Sequence, residues 1–175
     1  MLNKLVNAPG LKDSTTRRQL LTGGLTLGTT LAVGTTAMAV RADPQGADAS
    51  IHQEIDFKAS PSRIYECLLS QKQFAAFTKS PAQIHREAGG PFKLFGGRIG
   101  GRNIELIPDE RIVQAWRVEA WPPGIYSIAR FELKAQDSGC RIVFDHTGFP
   151  PADREGLNSG WSKMYWNPLR KYLDS

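Results

Sequence analysis

The chain has 175 residues, 41% of them hydrophobic and 22% charged, which is the composition of a globular protein with one domain. Its formal net charge of +5 is concentrated at the N-terminus, because residues 1–42 hold five basic and one acidic side chain and the rest hold 17 and 16. No basic run is interleaved with aromatic residues, so the sequence argues against a nucleic-acid partner.

The N-terminal segment has the pattern of an export signal. Arg17 and Arg18 precede an uncharged stretch from Leu20 to Val40 that threonine and glycine dilute. This stretch has the length of a transmembrane helix but not its hydrophobicity. The arrangement resembles the twin-arginine (Tat) export motif. We therefore interpret residues 1–42 as a signal of this type, with the Tat translocon as a partner during export.

A cleavage pattern follows in the same segment. Ala37 and Ala39 flank one residue, as the small residues of a signal-peptidase site do. This pattern predicts a mature protein in the periplasm or outside the cell. The alternative is an uncleaved signal that anchors the protein to the membrane. Residues 43–50 are small and polar and are interpreted as a linker, and residues 51–175 as the folded domain.

The domain is predicted to begin with one strand and two short helices. The alternating segment 51–58 predicts the strand. Ser60 and Pro61 are suited to the N-cap and the first position of a helix. Ser70 has the setting of a second helix start.

From Gln83 to Thr147, turns rich in glycine and proline separate a succession of strands. The clearest strands are residues 112–118, 125–135 and 140–147. The apolar parity switches between Ile99 and Ile104, and we expect a β-bulge at Gly100-Gly101 to cause the switch.

The last element is a long amphipathic helix. Apolar residues recur at helical spacing from Asp153 to Leu173. Pro168 lacks an N–H and predicts a kink. This helix is the element available to cover one face of the sheet, so the predicted class is α+β.

Several segments resemble the family related to the C-terminal domain of the activator of the 90-kDa heat-shock protein ATPase. They are Gly89-Gly90-Pro91-Phe92, Phe95-Gly96-Gly97, Glu105-Leu106-Ile107-Pro108, Gln114-Ala115-Trp116-Arg117, Trp121-Pro122-Pro123-Gly124, His146-Thr147-Gly148-Phe149-Pro150 and Gly160-Trp161. The resemblance implies a helix-grip fold of the START-like (SRPBCC) superfamily. About seven antiparallel strands would curve around the C-terminal helix, often with a cavity between them.

A mostly apolar cavity with a few polar groups is the usual form of a small-molecule site. We predict such a site between the sheet and the helix. Its candidate ligand-binding residues are Phe95, Gln114, Trp116, Ser127, His146, Trp161 and Tyr165. The alternative is that the aromatic rings only fill the core.

Other side chains carry weaker hypotheses. His146 follows the inward parity of its strand and is interpreted first as a hydrogen-bonded core residue and second as a ligand contact. No histidine spacing predicts a metal site, and no cofactor is expected. Cys67 and Cys140 are both candidates for a disulfide, but Cys67 is interpreted first as a small apolar residue.

Three functions remain open on the sequence. The first is an exported, non-catalytic domain that binds a hydrophobic small molecule. The second is a protein-interaction module like the chaperone activator that the chain resembles. The third is an enzyme of the cyclase or hydrolase type, for which Gln114, Ser127 and His146 are the polar residues available inside the predicted cavity.

Overall fold

The computed structural model describes residues 49–175. The predicted signal, with Arg17, Arg18, Ala37 and Ala39, and residues 43–48 of the predicted linker lie outside this range. The strands are β1 (Ser50–Phe57), β2 (Gln83–Ile84), β3 (Pro91–Leu94), β4 (Ile99–Ile107), β5 (Arg111–Val118), β6 (Ser127–Gln136) and β7 (Gly139–Thr147). Helices α1 (Pro61–Leu69) and α2 (Gln71–Thr78) follow β1.

Strands β1 to β7 form one antiparallel sheet in the order β1-β7-β6-β5-β4-β3-β2. Its inner face carries apolar residues in alternation, as in β6, where Ala129, Phe131 and Leu133 are buried. The predicted α+β helix-grip fold, with about seven strands and two helices after the first, is confirmed. Strand β6 begins at Ser127, later than predicted. Ile125, the predicted first residue of this strand, precedes it and is exposed.

The two short helices begin where the capping residues predict. The Ser60 hydroxyl accepts a hydrogen bond from the Arg63 N–H at 3.2 Å, and Pro61 occupies the first turn. The Ser70 hydroxyl accepts one from the Gln73 N–H at 3.4 Å. Each serine therefore satisfies a donor that the first turn of its helix leaves free.

The bulge lies at a different position from the predicted one. Gly100 and Gly101 pair in regular register with β5, and the register shifts between Asn103 and Glu105 instead. The extra residue is Ile104, whose side chain is 49% exposed. The glycine at 101 has another role, since a Cβ there would lie 2.0 Å from the carbonyl oxygen of Ala115. Gly101 thus permits a close approach within the sheet rather than a bulge.

The C-terminal helix consists of α3 (Arg154–Gly160), a π-helical segment (Trp161–Trp166) and α4 (Asn167–Leu173). The irregularity therefore begins before the predicted kink at Pro168. At the end of the π-helical segment, the Asn167 N–H donates to the carbonyl of Ser162, five residues earlier. Rings from this helix pack on the inner face of the sheet, as in the contact of Trp161 with Phe144, whose centroids are 4.3 Å apart.

Two arginines of the C-terminal helix reach the backbone of β1. Arg154 Nε donates to the Ser50 carbonyl and Arg170 Nη2 donates to the Asp56 carbonyl, each at 3.2 Å. The helix is therefore tied to both ends of the strand at the edge of the sheet.

The outer face of the sheet is charged and internally paired. Arg141 binds Asp56 at 2.7 Å across β7 and β1, and Lys134 binds Glu132 at 2.7 Å along β6. Because solvent reaches at least one partner of each of these ion pairs, they contribute little to the stability of the fold. Within residues 49–175, none of the helices combines the length and the hydropathy that crossing a membrane requires.

Candidate functional site

A cleft of about 300 Å³ opens to solvent between strands β4 and β5 and the C-terminal helix. Its lining is almost entirely apolar. The lining residues are Phe95, Arg98, Ile99, Trp116, Val118, Gly156, Leu157, Gly160, Trp161, Met164 and Tyr165. A concave apolar surface of this size is at the lower end of small-molecule sites, which run from about 300 to 1,000 Å³.

Two glycines form the helix side of the cleft. Gly156 and Gly160 are four residues apart and therefore lie on the same helix face. A Cβ added at either position would meet no atom within 4 Å. Packing thus demands a glycine at neither position, although glycine inside a helix costs about 0.5–1 kcal/mol relative to alanine. The missing side chains are what leaves this part of the interface open.

The turn between β3 and β4 builds the mouth of the cleft. Phe95, Gly96 and Gly97 have φ values of 53°, 68° and 94°, and a left-handed conformation is uncommon for a phenylalanine. The Gly96 N–H donates to the Pro81 carbonyl at 2.9 Å, which anchors the turn. The turn holds the Phe95 ring in the wall, edge-on to Tyr165 with centroids 5.4 Å apart. Arg98 follows immediately and is exposed at the mouth.

Trp116 contributes a buried donor without an acceptor. Its Nε1 is the one buried side-chain polar atom in residues 49–175 that has no hydrogen-bond partner. The Tyr165 side chain is a neighbour of this N–H. Burial raises the pKa of Tyr165 far above its usual range, and the Trp116 N–H only partly offsets that rise. An unpaired buried donor costs about 1–3 kcal/mol.

Next to the cleft the interface is filled. The closed core consists of Phe131, Phe144, His146, Trp161 and Trp166, all at most 3% exposed. The rings of Trp161 and Trp166 lie 5.7 Å apart and nearly parallel, and that of Phe131 meets the Trp161 ring edge-on at 5.8 Å. This packing fills the space that small inward residues of β6 leave under the helix.

The polar residues of the closed core satisfy one another. The Trp161 Nε1–H donates to His146 Nδ1 at 3.1 Å. Because Nδ1 is the acceptor, a neutral His146 carries its proton on Nε2, which lies 2.7 Å from the Ser127 hydroxyl. That hydroxyl donates in turn to the Trp116 carbonyl at 2.9 Å. Burial lowers the pKa of His146 to about 4, so the imidazole is neutral at physiological pH.

Gln114 is also held inside the fold. Its amide donates to the Asn103 side-chain oxygen at 3.0 Å, and the Asn103 amide donates to the His85 carbonyl at 2.8 Å. This chain of contacts joins β5, β4 and the segment before β3. Gln114 borders only a void of about 10 Å³, which is about the smallest that can hold a water molecule.

The seven predicted site residues therefore divide into two groups. Phe95, Trp116, Trp161 and Tyr165 line the cleft. Gln114, Ser127 and His146 do not line it, because each uses its polar atoms within the core. The first interpretation of His146, as a hydrogen-bonded core residue, matches these contacts. Ligand binding by any of the seven stays a prediction.

Other lining residues were not predicted. They are Arg98, Ile99, Val118, Gly156, Leu157, Gly160 and Met164. The glycines at 156 and 160, spaced by four inside the predicted last helix, are the sequence signal that could have located the helix side of the cleft.

The two cysteines are free and buried. Burial raises the pKa of both thiols, and that of Cys140 reaches about 11. They are therefore poor nucleophiles at neutral pH. Within the described part of the chain, no group of three or more histidine, cysteine, aspartate or glutamate side chains is arranged to hold a metal ion.

A family model described as "Activator of Hsp90 ATPase homolog 1-like protein" matches residues 58–174. The chain belongs to this family. The human protein named "Activator of 90 kDa heat shock protein ATPase homolog 1" is 26% identical over 115 residues, which are 66% of this chain and 34% of that protein. The chain thus spans about a third of the length of this curated relative.

Solved structures of the Hsp90-activator type share the fold. An HSP90 activator from Plasmodium falciparum matches with a TM-score of 0.68 and 19% identity, over 71% of this chain and 96% of that one. The Aha1 dimer from Colwellia psychrerythraea matches with a TM-score of 0.62 and 19% identity, over 71% and 95% of the two chains. At these identities the likeness to the Hsp90 activators concerns the fold.

Proposed function

We propose that this chain is an exported, non-catalytic domain that binds a hydrophobic small molecule in the cleft between the sheet and the C-terminal helix. The family and fold support a ligand- or protein-binding module in general. The observation that carries the small-molecule interpretation is the helix side of the cleft, where Gly156 and Gly160 leave an apolar concavity that no side chain of residues 49–175 fills.

The polar residues of the core support a non-catalytic role. Catalysis needs groups that can exchange protons with a substrate. His146 and Ser127 are hydrogen-bonded to each other and shielded by aromatic rings, and neither reaches the cleft. The cleft itself is lined by tryptophan, tyrosine, phenylalanine and aliphatic side chains, which bind apolar surface.

The test uses the neutral fluorophore N-phenyl-1-naphthylamine, whose emission rises in apolar surroundings. We expect saturable binding of one molecule per chain. Gly160→Leu should abolish it, because the new side chain would occupy the cleft. Gly160→Ala is the matched control and should retain binding. Absence of saturable binding to the wild-type protein, or equal binding by Gly160→Leu, would overturn the proposal.

Export through the twin-arginine route is part of the same proposal and rests on the pattern around Arg17 and Arg18. A fusion of residues 1–45 to a reporter should reach the periplasm. Arg17→Lys with Arg18→Lys should stop it. Export that survives both substitutions would exclude the Tat route, and a full-length product after export would favour the uncleaved anchor.

A second candidate function is a protein-interaction module. The relatives are named as activators of the 90-kDa heat-shock protein ATPase. The outer side of this domain also exposes large apolar side chains, with Tyr126 at 51% and Ile128 at 40%. On this reading the chain would bind a chaperone of that class through these residues.

The two candidates respond to different substitutions. A Tyr126→Ser, Ile128→Asp double variant should lose any stimulation of an Hsp90-class ATPase and keep fluorophore binding. Gly160→Leu should do the reverse. If the wild-type protein leaves the ATPase rate unchanged, the interaction reading loses its support.

A further inference from the structure

We infer that the ligand of the cleft is an amphipathic carboxylic acid, with its apolar body in the cleft and its carboxylate on Arg98 at the mouth. The inference deepens the proposed function and rests on it. Among the described residues that line the cleft, Arg98 is the only charged one. Its position and its unoccupied donors carry the assignment.

The donors of Arg98 are largely available. Nε donates to the Phe95 carbonyl at 3.4 Å, which fixes the guanidinium against the turn that walls the cleft. Among residues 49–175, no carboxylate forms an ion pair with Arg98, although the nearby Glu119 N–H binds its carbonyl oxygen. The two terminal nitrogens can therefore engage one carboxylate in a bidentate manner.

Two half-buried arginines of the sheet differ from Arg98 in this respect, whereas Arg102 and Arg117 bind only backbone carbonyls within residues 49–175 and do not line the cleft. Arg111 binds Glu105 at 2.7 Å, and Arg141 binds Asp56 at the same distance. Their charges are neutralised within the fold. Among the arginines that form no ion pair within residues 49–175, Arg98 is thus set apart by its place in the lining of the cleft.

The lining also fixes which end of the ligand enters. Burying a carboxylate against aromatic and aliphatic walls is strongly unfavourable without a cation or hydrogen-bond donors to meet it. The apolar end therefore points inward and the acid stays with Arg98 at the rim.

Octanoate and its methyl ester are the matched probes, measured at pH 7 by displacement of N-phenyl-1-naphthylamine. We expect octanoate to displace it at about a fivefold lower concentration than the ester at low salt, as an exposed arginine–carboxylate pair allows. Salt should reduce the preference, because exposed charges are screened.

Arg98→Gln should make the two probes equal by weakening octanoate alone. Arg102→Gln is the control, because Arg102 is also exposed and its substitution removes the same charge. Arg102 binds the Gly89 carbonyl and does not line the cleft. That variant should keep the preference for the acid.

The outcomes separate the two proposals. If the fluorophore binds and the acid and ester displace it equally in the wild-type protein, the carboxylate assignment fails and the proposed function stands. If the preference survives in Arg98→Gln, the assignment to Arg98 fails. If the wild-type protein does not bind the fluorophore at all, the proposed function fails first.

Discussion

One helix packs against one sheet in two different ways in this domain. In the closed core, Trp161 and Trp166 press rings onto Phe131 and Phe144, and the buried polar atoms of His146 have partners. At the cleft, the same helix presents Gly156 and Gly160. The difference shows that the missing side chains at Gly156 and Gly160 open the interface, while Trp161 belongs to both regions, since it packs in the core and lines the cleft.

The largest expected effect lies in the closed core. Phe144 is fully buried, and Phe144→Ala should destabilise the protein by about 3–5 kcal/mol through lost burial and a residual cavity. Met164 borders the cleft and is 38% exposed, so Met164→Ala should cost about 1 kcal/mol or less. Denaturant unfolding measures both. Equal losses of stability would show that Met164 in the cleft wall stabilises the fold as much as Phe144 in the core.

The pH dependence of stability should also arise in the closed core. His146 titrates near 6.5 in the unfolded chain and near 4 in the folded protein, because burial disfavours its charged form. The stability that the neutral, buried His146 contributes is fully present above pH 6.5 and is lost as the pH falls towards 4. The loss amounts to roughly 3 kcal/mol. Unfolding free energies measured between pH 7 and pH 4 provide the test.

His146→Asn is the control for this titration and should flatten the profile in that window. Asp56 and Glu132 have pKa values lowered by hydrogen bonds to Arg141 and Lys134, so their contributions are lost only at lower pH. The hydrogen bond to Asp145 raises the pKa of the exposed His52. The contribution of His52 to stability therefore increases slightly as the pH falls, opposite to that of His146. A slope unchanged by His146→Asn would mean that the buried imidazole is not its source.

Two tryptophans allow a matched comparison across the boundary. Trp161→Phe removes the donor to His146 Nδ1 and should cost about 2 kcal/mol or more. Trp116→Phe removes a donor that has no partner among residues 49–175. The gain from losing this unsatisfied donor offsets the packing that the smaller ring loses, so the net change in stability should stay within about 1 kcal/mol. Thermal unfolding of both variants measures the two changes in stability. An equal loss in both would indicate that the Trp116 N–H has a hydrogen-bond acceptor.

The smallest expected effect is a gain. Gly160→Ala should stabilise the protein by about 0.4–1 kcal/mol, since the position is helical and a Cβ there meets nothing. Gly101→Ala is the contrasting substitution, because its Cβ would clash with the backbone of β5. Unfolding curves should rank Gly160→Ala above the wild type and Gly101→Ala below it. A loss at position 160 would reveal a packing role for that glycine.

Much of this arrangement follows from local signals in the sequence. Ser60 and Ser70 cap the helices that they predict, because capping depends on residues within one turn. The inward residues of β5 and β7 follow from a period of two. The burial of His146 was likewise readable from strand parity.

The position of the bulge and the extent of the cleft were not readable in this way. The parity switch of β4 is compatible with an extra residue anywhere between Ile99 and Ile104, and only the pairing with β5 places it at Ile104. Whether the rings of Trp116 and Trp161 fill the interface or line an opening depends on which helix residues face them. That relation is set by the crossing of helix and sheet, which periodicity within either element does not determine.

The two arginines that reach β1 have a consequence for assembly. A strand at the edge of a sheet offers unpaired carbonyls and N–H groups on which another chain can add a strand. The guanidinium groups of Arg154 and Arg170 occupy the carbonyls of Ser50 and Asp56 near the two ends of β1. These guanidinium groups compete with any incoming strand for the two acceptors. The helix that shapes the cleft therefore also disfavours edge-to-edge aggregation through β1.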